Sequence, residues 1–215
     1  MKIHEFEVIS GSHLAEIPNQ ARFFYQKSSW ESLQQAYEQF QAADYPGNLL
    51  RFYDIESMEL FSPFELEQAV SYGEPVYQSG KIYVPKADFR RGTVAILEYE
   101  FGAASRVFYE RDIKDTQLEN LYLVADPLCL ISQTENLCCY YPREFSIALG
   151  EEESFRFFND KEIYLSKWIE EELIKDSEIV DYKYYEKLIV RDFEGKVLSE
   201  RAGCLQRIGQ KWYLA

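Results

Sequence analysis

A pair of carboxylates is the one catalytic device that the composition of this chain permits. Asp and Glu number 37, against 23 Lys and Arg. Two carboxylates that lie about 5–10 Å apart and differ in pKa can cleave a glycosidic bond, while aromatic rings stack on the sugar. Asp88 and Asp126 occupy related positions at the ends of "KIYVPKAD" and "NLYLVAD". Because an Asp at the end of a strand is also typical of a turn, the sequence identifies no catalytic pair.

Other catalytic motifs are missing from the sequence. His4 and His13 are the two histidines, which excludes a three-His metal site. A nucleophile–His site would depend on Ser10, Ser12 and His13 in "SGSHLAE", but this stretch is better explained as a surface turn. No P-loop and no dinucleotide-binding glycine pattern occurs. We therefore expect no metal and no cofactor.

A tryptophan beside clustered carboxylates indicates a binding surface. Trp168 is followed closely by Glu170, Glu171 and Glu172. An aromatic anchor with adjacent negative charge would attract a basic protein surface. The alternative is an amphipathic helix over "SKWIEEELIKD", in which the glutamates form a solvated face. The inward side of that helix would consist of Ile169, Leu173 and Ile174.

Two adjacent arginines form a second candidate site. Arg90 and Arg91 in "FRRGT" are expected in a loop of an otherwise acidic chain. They would either bind an anion or form ion pairs with neighbouring carboxylates. The sequence alone leaves both interpretations open.

The charge balance limits the classes of partner. The net charge is −14, so phosphate backbones and anionic membrane surfaces would repel the chain. We therefore expect no nucleic acid and no membrane among its partners. A basic protein would be attracted, and a homo-oligomer is a further alternative.

The N-terminal part is predicted to contain strands and one or two short-to-medium helices. The segments "IHEFEVIS", "ARFFYQK" and "NLLRFYDIE" have strand character. A helix is predicted over "SSWESLQQAYEQFQAA", where Ser28 and Glu31 have the spacing of a capping box. A second helix is predicted over "SPFELEQAVSYG", beginning at Ser62 and stopping at Gly73.

From Gly80 onward, strand patterns of period two alternate with short turns. The chain is therefore predicted to be mainly β, with an α+β segment over residues 1–74 and an antiparallel meander over residues 75–215. The meander would form a sandwich, a barrel or a propeller-like array. Four similar motifs are centred on Tyr83, Tyr122, Tyr164 and Tyr213. Their spacing of about 40–50 residues suits propeller blades, but a non-repetitive sheet accounts for it as well.

Composition, cysteine spacing and the lack of targeting or membrane segments are the sequence features that bear on location and function. The N-terminal residues lack the apolar stretch of an export signal, and no window approaches the roughly 18 apolar residues of a membrane span. The four cysteines have no C-x-x-C spacing and are expected to be reduced. These features favour a cytoplasmic protein. We expect an acidic protein-binding protein of an interaction, inhibitor or immunity type, without catalysis. The alternatives are a carboxylate-based enzyme acting on a small ligand or carbohydrate, and a self-assembling structural subunit.

Overall fold

Antiparallel β-structure dominates the computed structural model of the chain. The structure describes residues 5–175, 178–208 and 211–215. The prediction of a mainly β, antiparallel chain is confirmed, and none of the sheets in these residues closes into a barrel. The chain forms two compact units. The first extends to Ser132 and includes Tyr140–Pro142, and the second comprises Gln133–Cys139 and the chain from Arg143 onward.

The strands follow one another with short connections. Up to the middle of the chain they are β1 (Ala15–Glu16), β2 (Phe23–Lys27), β3 (Leu50–Asp54), β4 (Glu59–Phe61), β5 (Val70–Tyr72), β6 (Val76–Gln78), β7 (Lys81–Asp88), β8 (Thr93–Tyr99), β9 (Arg106–Asp112) and β10 (Leu121–Val124). The later strands are β11 (Cys129–Gln133), β12 (Asn136–Tyr141), β13 (Phe145–Ala148), β14 (Glu153–Phe158), β15 (Ile163–Lys175), β16 (Glu178–Arg191), β17 (Val197–Ala202), β18 (Leu205–Ile208) and β19 (Lys211–Leu214).

Neighbouring strands in sequence are mostly neighbours in a sheet. β1 to β4 form one sheet in chain order, and β5, β7, β8 and β9 form another in which β6 also pairs with β7. β10 pairs with β11, and β12 pairs with β13. β14 to β17 form a sheet in chain order, followed by the β18–β19 hairpin. The boundary predicted between residues 74 and 75 remains a prediction; β5 before it pairs with β7 after it.

The one α-helix in the described residues, α1, comprises Leu33–Ala42. Its N-cap is Ser32, which forms a capping box with Gln35. The predicted cap, Ser28, instead belongs to the sheet: its backbone N–H donates to the Leu49 carbonyl at 3.0 Å. The Ser28 hydroxyl also accepts a bond from the Leu49 N–H at 2.8 Å. The helix was therefore predicted in the right region, but it begins one turn later.

The second predicted helix, between Ser62 and Gly73, is wrong. Residues 62–69 have no regular structure, and the chain then enters β5. The Ala69 N–H donates to the Tyr45 carbonyl at 2.9 Å, and the Phe89 N–H donates to the Ala69 carbonyl at 2.9 Å. Phe64 is buried beside Tyr72, with ring centroids 5.0 Å apart. These long-range contacts outweigh the local capping signals, because helix propensity is a weak preference.

The predicted N-terminal strand "IHEFEVIS" is also wrong over residues 5–10, which have no strand; its first two residues lie outside the described residues. Side chains of β2 and β3 form hydrogen bonds with the backbone of this segment, which makes no strand-to-strand hydrogen bonds in the described residues. The Ile9 N–H donates to the Gln26 side-chain oxygen at 2.9 Å, and the Tyr53 hydroxyl donates to the Glu7 carbonyl at 3.1 Å. The segment is thus held to β2 and β3 without joining their sheet.

Each unit has its own hydrophobic core. In the first, Phe52 is fully buried and packs against Tyr99 and Phe64, at centroid distances of 5.6 and 6.1 Å. In the second, the β18–β19 hairpin covers part of one face of the β14–β17 sheet. Leu205 of this hairpin packs there with Leu188 and Val190.

The four tyrosine motifs all form strands. Tyr83 lies in β7, Tyr122 in β10, Tyr164 in β15 and Tyr213 in β19. Their environments differ, because Tyr83 is buried in a five-stranded sheet whereas Tyr213 is 47% exposed in a two-stranded hairpin. The strands are confirmed, and the repeat stays a prediction.

Candidate functional site

The long β15–β16 hairpin extends past the sheet to which it belongs. β15 and β16 pair along their whole length, but β14 accompanies β15 only as far as Lys167. On the other side, β17 accompanies β16 only as far as Lys187. Residues 168–175 and 178–186 therefore form a two-stranded ribbon, here called the arm. At roughly 3.3 Å per residue, eight residues of a strand extend about 25 Å.

The arm contains the segment that the sequence associates with a helix, and that prediction is wrong. Residues 168–175 are strand, although Glu, Leu and Lys all favour helices. The opposite strand explains the difference. Its sequence "DYKYYE" is rich in Tyr, a residue that suits a pleated surface, and it pairs residue by residue with "WIEEEL". The cross-strand partners determine the structure here, and they lie on the other strand of the hairpin, outside the segment that suggested a helix.

Two hydrogen bonds at the base of the arm show which pairs of the hairpin are not hydrogen-bonded to each other. The Trp168 N–H points away from β16 and donates to the Glu152 carbonyl at 3.2 Å. The Glu186 carbonyl points away from β15 and accepts from the Gly203 N–H at 2.9 Å. Trp168 and Glu186 are directly opposite each other and therefore form a non-hydrogen-bonded pair, in which side chains are closest. Alternation then defines one face, here called the aromatic face: Trp168, Glu170, Glu172, Tyr182, Tyr184 and Glu186.

Three rings form a continuous row on the aromatic face. The rings of Trp168 and Tyr184 are stacked at 5.9 Å with an angle of 25°, and those of Tyr184 and Tyr182 at 6.2 Å with an angle of 22°. Their residues are 46%, 53% and 41% exposed, respectively. Contiguous exposed apolar surface of this kind is typical of an interaction site.

Glu170 and Glu172 lie beside the rings with their carboxylates exposed. Each is directly opposite a tyrosine, Glu170 facing Tyr184 and Glu172 facing Tyr182. Neither carboxylate has a hydrogen-bond or ion-pair partner among the side chains that the structure describes. Desolvation and the charge of Glu170 raise the pKa of Tyr184. The aromatic face therefore carries negative charge at Glu170 and Glu172 that none of the described side chains neutralises.

Glu171 belongs to the opposite face of the arm and is neutralised there. It forms an ion pair with Lys183 at 4.0 Å and accepts a hydrogen bond from the Tyr185 hydroxyl. The Lys183 ammonium also lies 4.9 Å from the centre of the Tyr185 ring. The bond to Glu171 raises the pKa of Tyr185. The three glutamates grouped by the sequence are thus divided between two faces with different electrostatics.

The aromatic face continues the covered face of the β14–β17 sheet. Glu186 at its base pairs with Arg156 at 3.8 Å, and the Arg156 Nε donates to the Ser166 hydroxyl at 2.9 Å. Beyond this ion pair, Leu188 and Val190 on the same face pack under Leu205 of the β18–β19 hairpin. The face is therefore covered next to the sheet and exposed along the arm.

Arg90 and Arg91 lie in the other unit, in the turn between β7 and β8. Arg91 pairs with Glu110 at 3.7 Å, and an Arg90 Nη donates to the Gln68 side chain at 2.6 Å. Asp88 accepts a hydrogen bond from the Arg91 backbone N–H at 3.0 Å. Arg91 thus pairs with a carboxylate and Arg90 with a neutral amide, Asp88 stabilises a turn, and anion binding at the two arginines remains an untested prediction.

A buried carboxylate that the sequence does not single out lies near the C-terminal end of β8. Glu98 accepts hydrogen bonds from Lys81 and Arg106, both at 2.8 Å, and from the Tyr83 hydroxyl at 3.2 Å. The bond from Arg106 is the main cause that lowers the pKa of Glu98 to about 2. Asp54 is similarly held by Arg22, which lowers its pKa well below the usual range. A general acid needs a raised pKa instead.

Open depressions also occur among the described residues of the first unit. One of about 390 Å³ is lined by Phe64, Tyr72 and Lys86, among others, and one of about 320 Å³ by Phe23, Phe61 and Phe101, among others. Lys86 lies 3.8 Å from Glu67, and Arg22 at the second depression is bound by Asp54. The charged groups named here thus have protein partners.

Comparisons with protein-family models, with curated proteins and with solved structures give no match to this chain. In the part of the chain that the structure describes, no helix has the length and apolar character needed to cross a membrane. The same residues contain no group of three or more His, Cys, Asp and Glu side chains suited to a metal ion.

Proposed function

We propose that this protein binds a basic partner protein through the aromatic face of the arm. The observation that carries the proposal is the combination of an exposed row of three rings with two unpaired carboxylates. Aromatic rings supply contact area at interfaces and attract cationic side chains, while Glu170 and Glu172 supply complementary charge. The role is that of an interaction, inhibitor or immunity-type protein without catalysis, acting in the cytoplasm.

The division of the glutamates between two faces supports this assignment over general acidity. A protein that attracted basic partners by net charge alone would use Glu171 as readily as Glu170. In the proposed mode, Glu171 is already paired with Lys183, so its charge contributes little to binding. The proposal therefore makes the three glutamates unequal, although they are consecutive in sequence.

The test compares two matched variants with the wild-type protein. Immobilised protein is exposed to source-cell lysate at about 20 mM and about 500 mM salt, and retained proteins are identified; high salt screens exposed charges. The partner is a basic protein that the wild type and Glu171→Gln retain at low salt. The Glu170→Gln/Glu172→Gln variant should bind the purified partner about fivefold to tenfold more weakly, because each exposed pair contributes about 0.2–1 kcal/mol.

Two results would contradict the proposal. Equal weakening by Glu171→Gln and by the double substitution would mean that net charge, rather than the aromatic face, attracts the partner. Retention that no substitution on the arm alters would place the binding surface elsewhere. Circular dichroism of each variant verifies that the sheet is unchanged, so a loss of binding cannot be attributed to unfolding.

A further inference from the structure

The outer edge of β15 in the arm is open along its backbone. Beyond Lys167, no described strand pairs with β15 on the side away from β16. The Trp168 N–H points to that side, since it donates to the Glu152 carbonyl at 3.2 Å. Backbone groups alternate in direction along an antiparallel strand, so those of Glu170 and Glu172 point outward as well. The edge therefore presents unpaired donors and acceptors next to the two unpaired carboxylates.

The same two residues supply both the open backbone and the free charge. A residue on an added strand that lies directly opposite Glu170 projects its side chain to the same face. Alternate residues of a strand are about 6.6 Å apart, so an added strand matches the spacing of Glu170 and Glu172 at its own alternate positions. An extended segment with basic residues at positions i and i+2 can therefore form hydrogen bonds with the outward backbone groups and ion pairs with the two carboxylates at the same time.

We propose that the β15 edge of the arm binds an extended segment of the partner by antiparallel strand addition, with Lys or Arg opposite Glu170 and Glu172. This inference rests on the proposed function and specifies how the basic partner is recognised. Strand addition at a free sheet edge is a common mode of peptide recognition, in which the backbone gives affinity and alternate side chains give specificity.

Charge selects this occupant and this edge over the alternatives. A second copy of the arm placed antiparallel on β15 would bring glutamates close to glutamates, which is destabilising. The outer edge of β16 carries Tyr182 and Tyr184, and its one acidic side chain on the aromatic face, Glu186, is paired with Arg156 at 3.8 Å. A basic strand can therefore form ion pairs with Glu170 and Glu172 at the β15 edge, whereas the acidic side chain on the β16 side is already paired.

Synthetic peptides separate backbone pairing from attraction between side chains. The first peptide alternates Lys and Thr, and the second has the same composition with its Lys residues grouped. Two derivatives of the first carry backbone N-methyl groups, either on every Lys or on every Thr. In the proposed register the Lys residues exchange hydrogen bonds with Glu170 and Glu172, whereas the Thr N–H groups point away. Titration calorimetry measures all four against the full-length protein.

The alternating peptide should bind at least about fivefold more tightly than the grouped peptide, because only it matches the spacing of the edge. N-methylation of the Lys residues should weaken binding by about tenfold or more, and N-methylation of the Thr residues by less than about twofold. The Glu170→Gln/Glu172→Gln variant should lose the preference for the alternating peptide, and Glu171→Gln should keep it.

The outcomes distinguish this inference from the proposed function. If N-methylation of the two residue types has equal effects or none, or if Thr methylation alone weakens binding, strand addition on this edge is overturned. Binding of the purified basic partner that still depends on Glu170 and Glu172 would then leave the proposed function intact. If neither the peptides nor any basic protein binds in a manner that depends on these residues, both proposals are wrong.

Discussion

Glu98 illustrates how the environment of a single residue determines its chemistry. It is buried near the end of the apolar strand β8, where an uncompensated charge would be very costly. Lys81, Arg106 and Tyr83 all donate to its carboxylate, and the pKa of Glu98 falls to about 2 as a result. The group is therefore held ionised at neutral pH and is unsuited to donate a proton. Its role in the first unit is structural.

Replacing Glu98 with Gln should lower the free energy of unfolding by about 1–3 kcal/mol near pH 7, because hydrogen bonds to a buried charged group are lost. A carboxylate whose folded-state pKa is depressed stabilises the fold above its unfolded pKa, near 4.5, and loses that contribution as the pH falls toward about 2. The difference between wild type and Glu98→Gln should therefore be largest above pH 4.5 and shrink as the pH decreases. Urea unfolding across this pH range measures it.

Glu110→Gln is the matched control for this prediction. Glu110 forms an ion pair with Arg91 at 3.7 Å, with side chains that are 36% and 65% exposed. Exposed pairs contribute about 0–1 kcal/mol, so the control should unfold almost as the wild type does. A loss that is equal in both variants, or a Glu98 effect that does not change with pH, would show that the carboxylate is not held as described.

The residues of the candidate site were partly predictable from the sequence. Trp168 and the three glutamates could be identified as a group by their types alone. Their division between two faces could not, because consecutive residues share a broad face of a helix but alternate across a strand. The tyrosines that complete the row, Tyr182 and Tyr184, lie on the opposite strand. Their own period-two spacing in "DYKYYE" was the signal that could have revealed them.

At the scale of the element, the arm extends past the strands that hold the sheet together. β14 and β17 end at the level of Lys167 and Lys187, so the core of the second unit is formed below the arm. Strand identity in the arm depends on pairing across the hairpin, with partners that lie outside the local segment of β15. The predicted helix at Ser62 was wrong for the same reason, since β5 pairs with β7. The helix α1, which depends on local capping, was predictable.

Removal of the arm should abolish binding while preserving the fold. We expect a variant in which Asn-Gly replaces residues 170–184 to keep its sheet content and to unfold within a few degrees of the wild type, since Ile169 and Tyr185 are a hydrogen-bonded pair that can flank a tight turn. The purified partner and the alternating peptide should no longer bind. Circular dichroism, thermal unfolding and calorimetry measure these properties.

A second variant controls for the length of the arm. Thr at positions 168, 182 and 184 removes the rings but retains residues that favour strands. It should fold with a complete arm and bind the partner about tenfold more weakly, because aromatic anchors dominate interface energies. Failure of the shortened variant to fold would contradict the view that the arm is dispensable for the sheet. Undiminished binding by the Thr variant would contradict a role for the rings.

At the scale of the whole molecule, charge and exposed aromatic surface act in opposite directions. The chain carries a net charge of −14, which promotes solubility and repels other copies. The row formed by Trp168, Tyr184 and Tyr182 would by itself favour association of two arms. Like charges at Glu170 and Glu172 oppose that association and leave the row available to a basic partner. The alternative of a self-assembling structural subunit predicts instead a discrete oligomer whose formation depends little on salt.

These two interpretations differ in how self-association depends on salt. We expect one chain per particle at about 20 mM salt, where repulsion between exposed charges extends over tens of ångströms, and weak association at about 1 M salt, where it is screened within about 3 Å. Sedimentation velocity measures the mass distribution under both conditions. Because the exposed rings drive the association, Thr at positions 168, 182 and 184 should abolish it. A discrete oligomer at low salt that persists in this variant would favour the structural subunit, since its interface would lie away from the arm and would not be limited by the charge of the arm.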